Sequence, residues 1–202
     1  MPDYKLIYFN LQARAELTRW CFAYGGIPYE DDRIEGTWVQ RKKEMPAGKI
    51  PVLYVDGKPL TESLAIARYA AKQAGLVPRD DLQAAYCDAM VDTMAGEVLH
   101  TIYQHIVFGK DEPAEKQRKL KEDLVPKWNP ILKRLNERLS NQDWFISDRV
   151  TWVDLAISFI FGKAAEHYPK LLNDYPNVNK VVENVQNLKP IKKWISTRPK
   201  TN

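Results

Sequence analysis

The most constraining feature of this chain is a hairpin signal within residues 46–66. Asp56-Gly57 stands between two apolar runs, and this pair in such a place is the strongest short-range signal for a β-hairpin. A loop leads into the first strand at Pro51, and a helix opens after the second strand at Ser63. A helix N-terminus offers unpaired N–H groups and a positive dipole end, so this helix mouth suits an anion. The pattern favours a small, extended, peptide-like ligand that carries carboxylates.

The composition excludes several classes of protein. A chain of 202 residues with 45% apolar residues suits two small globular domains. The net charge of +4 is mild and most charges alternate in sign, so nucleic-acid binding is disfavoured. The apolar runs are too short to span a membrane, and the first residues lack the apolar core of a signal peptide. We therefore expect a cytoplasmic protein that binds neither nucleic acid nor membrane.

The cysteines and histidines predict neither a disulfide framework nor a metal site. Cys21 and Cys87 lie far apart in the chain and form no Cys-x-x-Cys motif. His100, His105 and His167 form no ligand set with a nearby pair of carboxylates. We expect no bound metal and no tightly bound cofactor.

The first part of the chain predicts a mixed sheet with helices packed on it. The predicted elements are a strand at 4–8, a helix at 15–24 ended by Gly25-Gly26, a strand at 29–34, the hairpin, and a helix at 63–74 stopped by Gly75. This β-α-β-(α)-β-β-α order is thioredoxin-like and predicts four strands. The predicted first domain is 1–75, followed by a linker at 76–82.

The remaining residues, 83–202, are predicted to form an all-helical domain. Its apolar stripes at helical spacing are Val91, Met94, Val98, Ile102 and Ile106, then Leu120, Leu124, Trp128, Ile131 or Leu132, Leu135 and Leu139, and then Val178, Val181, Val185 and Leu188. These stripes indicate core packing. Thr151 and Asp154 fit a capping box, in which Thr151 is the N-cap and Asp154 reaches back to its N–H.

Tyr8 is the best candidate for a catalytic group. It ends the first strand, and in open α/β sheets ligands bind at the carboxyl ends of strands. Alone this signal is weak, because a tyrosine ending a strand is more often a half-buried packing residue. The loop after it, residues 9–13, lacks the reactive cysteine usual in thioredoxin-like chains, so a reactive sulfur must come with the ligand. A phenol donating to a ligand thiolate would lower the thiol pKa, and Arg14 would add a positive charge.

A combination of residues spread over the whole chain forms a recognisable set. It comprises Tyr8, Arg14-Ala15-Glu16, Trp38, Lys42, Gly48-Lys49-Ile50-Pro51, the segment from Glu62 to Tyr69, Thr151 to Asp154, and Trp194 to Pro199. Together these residues resemble the cytosolic glutathione transferases of the sigma class, which includes glutathione-dependent prostaglandin D synthases. The resemblance implies conjugation of the glutathione thiolate to small hydrophobic electrophiles in a homodimer. It leaves peroxide reduction open.

The resemblance also assigns residues to parts of glutathione. It implies that Tyr8 and Arg14 are catalytic, and that the bond before Pro51 is cis. The backbone of Ile50 would then pair with the cysteinyl part. Glu62 and Ser63 would bind the γ-glutamyl end, and the glycyl carboxylate would lie among three residues: Trp38, Lys42 and Lys49. The second-substrate pocket would lie between the loop after Tyr8 and the first long helix of the second domain, and its assigned residues are Phe9, Ala13, Leu99 and Ile102.

The chain also departs from the sigma-class pattern. Glu62 stands where Gln is usual, and Ala13 where Gly is common. Ala95-Gly96 replaces the acids that would reach glutathione from the partner subunit, with Glu97 as a candidate substitute. Because Tyr103-Gln104 stands where the synthases carry a tryptophan, prostaglandin D synthase activity is a disfavoured alternative. A non-enzymatic carrier or structural protein on the same scaffold is the other alternative.

Overall fold

The computed structural model describes residues 1–201 and divides the chain into two compact units. The sheet unit consists of Met1–Leu76 together with the residues from Lys189 onward, and the helical unit is Val77–Leu188. The sequence had assigned residues 83–202 to one helical domain. The structure groups the residues from Lys189 onward with the sheet unit, because the last helix packs against the first helix of that unit.

Four strands, three helices and two short 3₁₀ turns form the first part of the sheet unit. In chain order they are β1 Tyr4–Phe9, α1 Ala13–Gly25, β2 Glu30–Ile34, α2 Trp38–Arg41, the turns Lys42–Glu44 and Pro46–Gly48, β3 Val52–Val55, β4 Lys58–Leu60 and α3 Ser63–Gln73. The strand order is β2-β1-β3-β4, with β1 parallel to β2 and the other neighbours antiparallel. The predicted mixed four-stranded sheet is confirmed.

The hairpin turn has the backbone conformation that its sequence predicts. Asp56 and Gly57 have φ angles of 48° and 76°, and a type I′ turn requires both to be positive. The backbone N–H of Asp3 donates to the Asp56 carboxylate at 2.8 Å, so the turn is tied to the start of the chain.

Helix α1 begins earlier than the predicted helix at 15–24, because Ala13 and Arg14, both good helix formers, belong to it.

The helical unit is built from six α-helices joined in part by π-helical turns. They are α4 Asp81–Met94, α5 His100–Ile102, α6 Pro113–Lys119, α7 Val125–Arg138, α8 Trp152–His167 and α9 Pro176–Asn187, with π turns at Ala95–Leu99, Tyr103–Val107 and Leu120–Leu124. Helix α10, Lys189–Thr197, follows and belongs to the sheet unit. The predicted apolar stripes are buried, apart from the half-buried Leu188. No helix among residues 1–201 is long and apolar enough to cross a membrane.

The predicted capping box at the start of α8 is confirmed. The Asp154 carboxylate accepts the Thr151 backbone N–H at 2.7 Å and the Thr151 hydroxyl at 2.7 Å. Its other oxygen accepts the backbone N–H of Phe145, in the preceding loop, at 2.9 Å. Asp154, Thr151 and Phe145 are all buried, so water cannot replace the carboxylate as the acceptor of these N–H groups.

Replacing Asp154 by alanine is expected to destabilise the fold strongly. The variant leaves two buried backbone N–H groups without an acceptor, and the expected loss is about 3 kcal/mol of unfolding free energy. Urea denaturation followed by circular dichroism measures it. Asp148→Ala, at an exposed position in the same loop, is the matched control and should change stability by less than about 0.5 kcal/mol. Equal midpoints for the two variants would contradict the assigned role.

A second buried carboxylate joins α10 to α1. Glu16 is fully buried, and one of its oxygens accepts the indole N–H of Trp194 at 2.9 Å and the guanidinium of Arg198 at 2.8 Å. The same oxygen accepts the indole N–H of Trp20 at 3.2 Å, and the other accepts from the buried Arg19 at 3.2 Å. The last helix is therefore held to the first by a charged and hydrogen-bonded core.

Candidate functional site

A cavity of about 470 Å³ lies in the sheet unit, where the loop before β3 faces the start of α3. This volume is in the range of small-molecule sites in proteins. Eight residues that the sequence singled out line it: Phe9, Arg14, Trp38, Lys49, Ile50, Pro51, Glu62 and Ser63. The cavity therefore brings together residues from four separate stretches of the chain.

Tyr8 lies at the edge of this group. It is 4% exposed and does not line the cavity, but its neighbour Phe9 and its hydrogen-bond partner Arg14 do. The backbone N–H of Arg14 donates to the Tyr8 hydroxyl oxygen at 3.4 Å. Among residues 1–201, no acceptor takes the hydroxyl proton of Tyr8, so the group can still donate.

Burial keeps the Tyr8 phenol in its neutral form. Desolvation raises its pKa, and it outweighs the hydrogen bond from the backbone of Arg14 and the positive charges of Arg14 and Arg19, which lower it. At neutral pH the side chain is therefore a hydroxyl that donates a hydrogen bond. The sequence led us to expect that the positive charge of Arg14 stabilises the ligand thiolate. The structure adds a hydrogen bond from the Arg14 backbone N–H to the Tyr8 hydroxyl.

The loop before β3 forms one wall through an irregular backbone. Ala47 and Gly48 have φ angles of 53° and 59°, and the Ile50-Pro51 bond is cis, as the family resemblance implied. A Cβ on Gly48 would lie 3.3 Å from Cε of Lys42, so the Lys42 side chain packs closely over this glycine. Lys42 itself does not line the cavity, although the sequence grouped it with Lys49, which does.

The start of α3 forms the facing wall. Glu62 immediately precedes the helix with φ of 68°, in the left-handed region that a residue with a side chain rarely adopts. Ser63 begins the helix, and the unpaired N–H groups of the first turn give this wall a positive electrostatic character. Such a wall suits the carboxylate end of a ligand.

Trp38 forms an apolar side of the cavity. Its ring packs edge-on against Phe9, with centroids 5.4 Å apart. Both rings rest on a buried cluster of Ile7, Ile34, Met45 and Val52, which fixes their positions. The cavity therefore combines an apolar side, the exposed cations Arg14 and Lys49, and one helix N-terminus.

Four residues of the lining received no binding role from the sequence. They are Pro46, Ala47, Gly48 and Thr61. All four lie within residues 46–66, the stretch that contains the hairpin. Pro46-Ala47-Gly48 is a turn signal, but a turn signal does not by itself indicate a binding residue. Ala47 and Gly48 contribute the irregular backbone path of this loop.

The residues assigned to a second pocket lie in different units. Phe9 and Ala13 belong to the sheet unit, and Ala13 is 6% exposed. Leu99 and Ile102 belong to the helical unit, where Leu99 is half-buried and Ile102 is buried. Their common role remains a prediction.

Two family models cover most of the chain. The N-terminal domain of glutathione S-transferase matches residues 4–72, and the C-terminal domain of glutathione S-transferase matches residues 97–198. The chain belongs to the glutathione S-transferase family. It therefore has the fold and the enzyme class of a glutathione transferase.

Named relatives match this transferase from end to end. Hematopoietic prostaglandin D synthase of Gallus gallus is 37% identical over 202 residues, covering 100% of this chain and 99% of the relative. Glutathione S-transferase 1 of Ascaris suum is 33% identical over 205 residues, with the same coverage. Among solved structures, rat hematopoietic prostaglandin D synthase complexed with a quinoline has a TM-score of 0.86 and 38% identity, covering 99% of each chain.

Proposed function

We propose that this protein is a sigma-class glutathione transferase that binds glutathione in the cavity of about 470 Å³ and conjugates it to small hydrophobic electrophiles. One observation carries the proposal above the others. A neutral, buried tyrosine with a free hydroxyl proton adjoins a cavity whose walls suit an extended anionic peptide. Family membership supports the reaction class, and this geometry supports the roles that we propose for the residues.

The Tyr8 hydroxyl acts as the hydrogen-bond donor to the glutathione sulfur. A donor favours the ionised thiol, so the thiol proton passes to solvent more readily and the thiolate fraction rises at neutral pH. The sulfur lone pair then attacks the electrophilic carbon, the C–S bond forms, and the leaving group departs with its electron pair. Arg14 supports the same charge through its backbone contact with Tyr8.

The cavity walls hold the three parts of the tripeptide. Lys49 provides a positive charge for the glycyl carboxylate, and Trp38 provides an apolar wall beside it. Lys42, whose side chain packs over Gly48, adds a second positive charge near this end of the peptide. The backbone of Ile50 pairs with the cysteinyl part as an added strand would. Glu62 and Ser63 bind the γ-glutamyl amine and carboxylate, where the helix N-terminus favours a negative group.

Family membership supports the remaining assignments of the proposal. The electrophile contacts Phe9, Ala13, Leu99 and Ile102. We expect the protein to work as a cytoplasmic homodimer, and Glu97 is the candidate substitute for the partner-subunit acids that Ala95-Gly96 replaces. Analytical ultracentrifugation tests the dimer, and Glu97→Gln tests the contact through the affinity for glutathione.

A simple assay tests the proposed function. Purified protein is mixed with glutathione and a chlorinated dinitroaromatic, and the thioether product is followed by its absorbance. We expect turnover that saturates with glutathione, and calorimetry should detect glutathione binding without the electrophile. Binding without turnover on any of several electrophiles would favour the carrier alternative. Absence of both binding and turnover would refute the proposal.

Ser63→Ala is expected to weaken glutathione binding with little effect on the chemical step. It removes one hydroxyl donor to a carboxylate, a bond worth about 1.5–3 kcal/mol, so KM for glutathione should rise at least about tenfold. Alanine is a good helix former, so the start of α3 should persist. Ser140→Ala, at an exposed position of the helical unit, is the matched control. An unchanged KM in the Ser63 variant would remove this residue from the binding site.

A glutathione-dependent prostaglandin isomerase is the second candidate. It is favoured by relatives at 37–38% identity named hematopoietic prostaglandin D synthase. It is disfavoured by Ala95 and Gly96 and by Tyr103-Gln104, which differ from the pattern of those synthases. Product analysis with a prostaglandin endoperoxide separates the candidates, and a parallel assay with an organic hydroperoxide tests for peroxidase activity.

A further inference from the structure

A short loop, residues 10–12, connects the two residues to which we assign activation of the sulfur. Strand β1 ends one residue after Tyr8, and helix α1 begins one residue before Arg14. Within the loop, the backbone N–H of Leu11 donates to the carbonyl of Phe9 at 2.7 Å, so the chain turns sharply. The placement of the Arg14 N–H on the Tyr8 hydroxyl oxygen therefore depends on the conformation of this loop.

The Asn10 side chain ties the loop to β2 and its end. Its amide oxygen accepts from the guanidinium of Arg33 at 2.8 Å, and its amide nitrogen donates to the carboxylate of Glu35 at 2.7 Å. The nitrogen also donates to the backbone carbonyl of Lys200 at 3.2 Å. Arginine only donates and a carboxylate only accepts, so a carboxamide between them satisfies both neighbours at once.

A closed ring of polar contacts starts from Asn10. Arg33 donates through Nε to one oxygen of Asp31 at 2.8 Å, and the other oxygen accepts from Nε of Arg19 at 3.1 Å. Arg19, in α1, then donates to the carbonyl of Leu11 at 2.6 Å. Because Leu11 follows Asn10 in the chain, the contacts return to the loop where they began. The Asn10 ring consists of Asn10, Arg33, Asp31, Arg19 and Leu11.

The Asn10 ring joins the loop to both elements that flank it. It holds the loop to β2 through Asn10 and to α1 through Arg19, which is fully buried. Charge-assisted hydrogen bonds of this kind are stronger than neutral ones. No member of the ring lines the glutathione cavity, whereas Phe9 and Arg14, on either side of the loop, do. The ring therefore holds the catalytic residues in place from outside the cavity.

The contact that depends on this loop is long. The Arg14 nitrogen lies 3.4 Å from the Tyr8 oxygen, beyond the usual range of about 2.7–3.2 Å, so a small displacement would break it. A hydrogen bond received by a phenol oxygen makes its O–H a stronger donor, because hydrogen bonds in a chain polarise one another. Burial raises the pKa of Tyr8, and the bond from Arg14 opposes that rise. Without this bond, Tyr8 would stabilise a thiolate less.

We propose that Asn10 is a positioning residue for activation of the glutathione sulfur, an inference that rests on the proposed function of Tyr8. By closing the ring, Asn10 fixes the loop and keeps the Arg14 N–H on the phenol oxygen. Because Asn10 does not line the cavity, its loss affects the thiolate and leaves the binding of the tripeptide nearly unchanged.

Asn10→Ala tests the role of this side chain. The pKa of the bound thiol, read from the thiolate absorbance at about 240 nm against pH, should rise by about half a unit. At a pH below that pKa, kcat should fall about threefold, because the thiolate fraction falls by that factor. KM for glutathione should change less than about twofold, because no residue of the cavity lining is replaced.

Arg33→Met opens the ring at a second point and leaves Glu35 and Lys200 to bind Asn10. It should raise the thiol pKa by a similar amount. The double variant with Asn10→Ala should go no further than either single variant, because both break the same contact. Glu35→Ala is the matched control, since it removes an exposed partner of Asn10 but leaves the ring closed, and it should keep the native thiol pKa. Circular dichroism verifies that each variant is folded during the titration.

Three outcomes would overturn the role of Asn10 and leave the proposed function intact. The first is a native thiol pKa in both ring variants while Tyr8→Phe raises it. The second is an additive shift in the double variant, since that would indicate loss of a charge rather than of the contact. The third is an equal shift in Glu35→Ala, since the ring is closed there. A native complex without a thiolate band would refute the proposed function, and the role of Asn10 with it.

Discussion

Tyr8→Phe is expected to lower the conjugation rate at neutral pH by about 10- to 100-fold. The variant keeps the ring packed against Phe9 but removes a hydrogen bond to a charged sulfur, worth about 1.5–3 kcal/mol. Affinity for glutathione should change little, because the hydroxyl mainly distinguishes the thiolate from the thiol. The pKa of the bound thiol should therefore rise by about 1–2 units.

Two measurements check this prediction. The thiolate absorbance near 240 nm, recorded against pH in the glutathione complex, gives the pKa of the bound thiol directly. The pH dependence of kcat/KM should shift in the same direction. Tyr54→Phe is the control, since it removes a hydroxyl from a neighbouring strand of the same sheet. If both variants match the native pH profile, Tyr8 has no part in activating the sulfur.

Glu16→Ala should cause the largest loss of stability among the variants considered. It leaves the buried Arg19 without its carboxylate partner from α1, and removes the acceptor of Arg198 and the indole N–H of Trp194. Breaking a buried charge pair in this way costs about 3–5 kcal/mol. The variant changes none of the residues proposed for catalysis. Its activity should therefore be lost over the same range of urea concentrations in which the protein unfolds.

Urea denaturation of native and variant protein measures the effect. Glu30→Ala is the control, because it removes a carboxylate that is 62% exposed and pairs with Lys5, and such pairs are worth at most about 1 kcal/mol. Limited proteolysis gives a second reading, since cleavage after residues of α10 should become faster in the Glu16 variant. Similar midpoints for both variants would show that the buried network adds no net stability.

Local signals in the sequence predicted much of the fold. Asp56-Gly57 specified the hairpin because few pairs tolerate two positive φ angles, and Thr151 with Asp154 specified the start of α8 because their partners lie within one turn. The spacing of apolar residues likewise identified the buried faces of the long helices. These features depend on residues that are close in the chain.

Contacts between distant residues could not be predicted in this way. Glu16 appears in the sequence as an ordinary helical glutamate, and its partners Trp194 and Arg198 are 178 and 182 residues away. In the candidate site, the family resemblance placed Lys42 with Lys49, whereas in the structure Lys49 lines the cavity and the Lys42 side chain packs over Gly48. Family resemblance supplied the roles of Ile50 and Pro51, which no local signal indicates.

The return of α10 to α1 affects how this protein is made. During synthesis, residues 1–76 leave the ribosome long before Trp194 and Arg198. Glu16 therefore lacks these two hydrogen-bond donors until the whole helical unit has been translated. In a fragment containing only the first 76 residues, the Glu16 carboxylate would either be buried with fewer hydrogen-bond donors or remain exposed to water. Recombinant production of that fragment alone should therefore give a less stable product than co-expression with the missing helix.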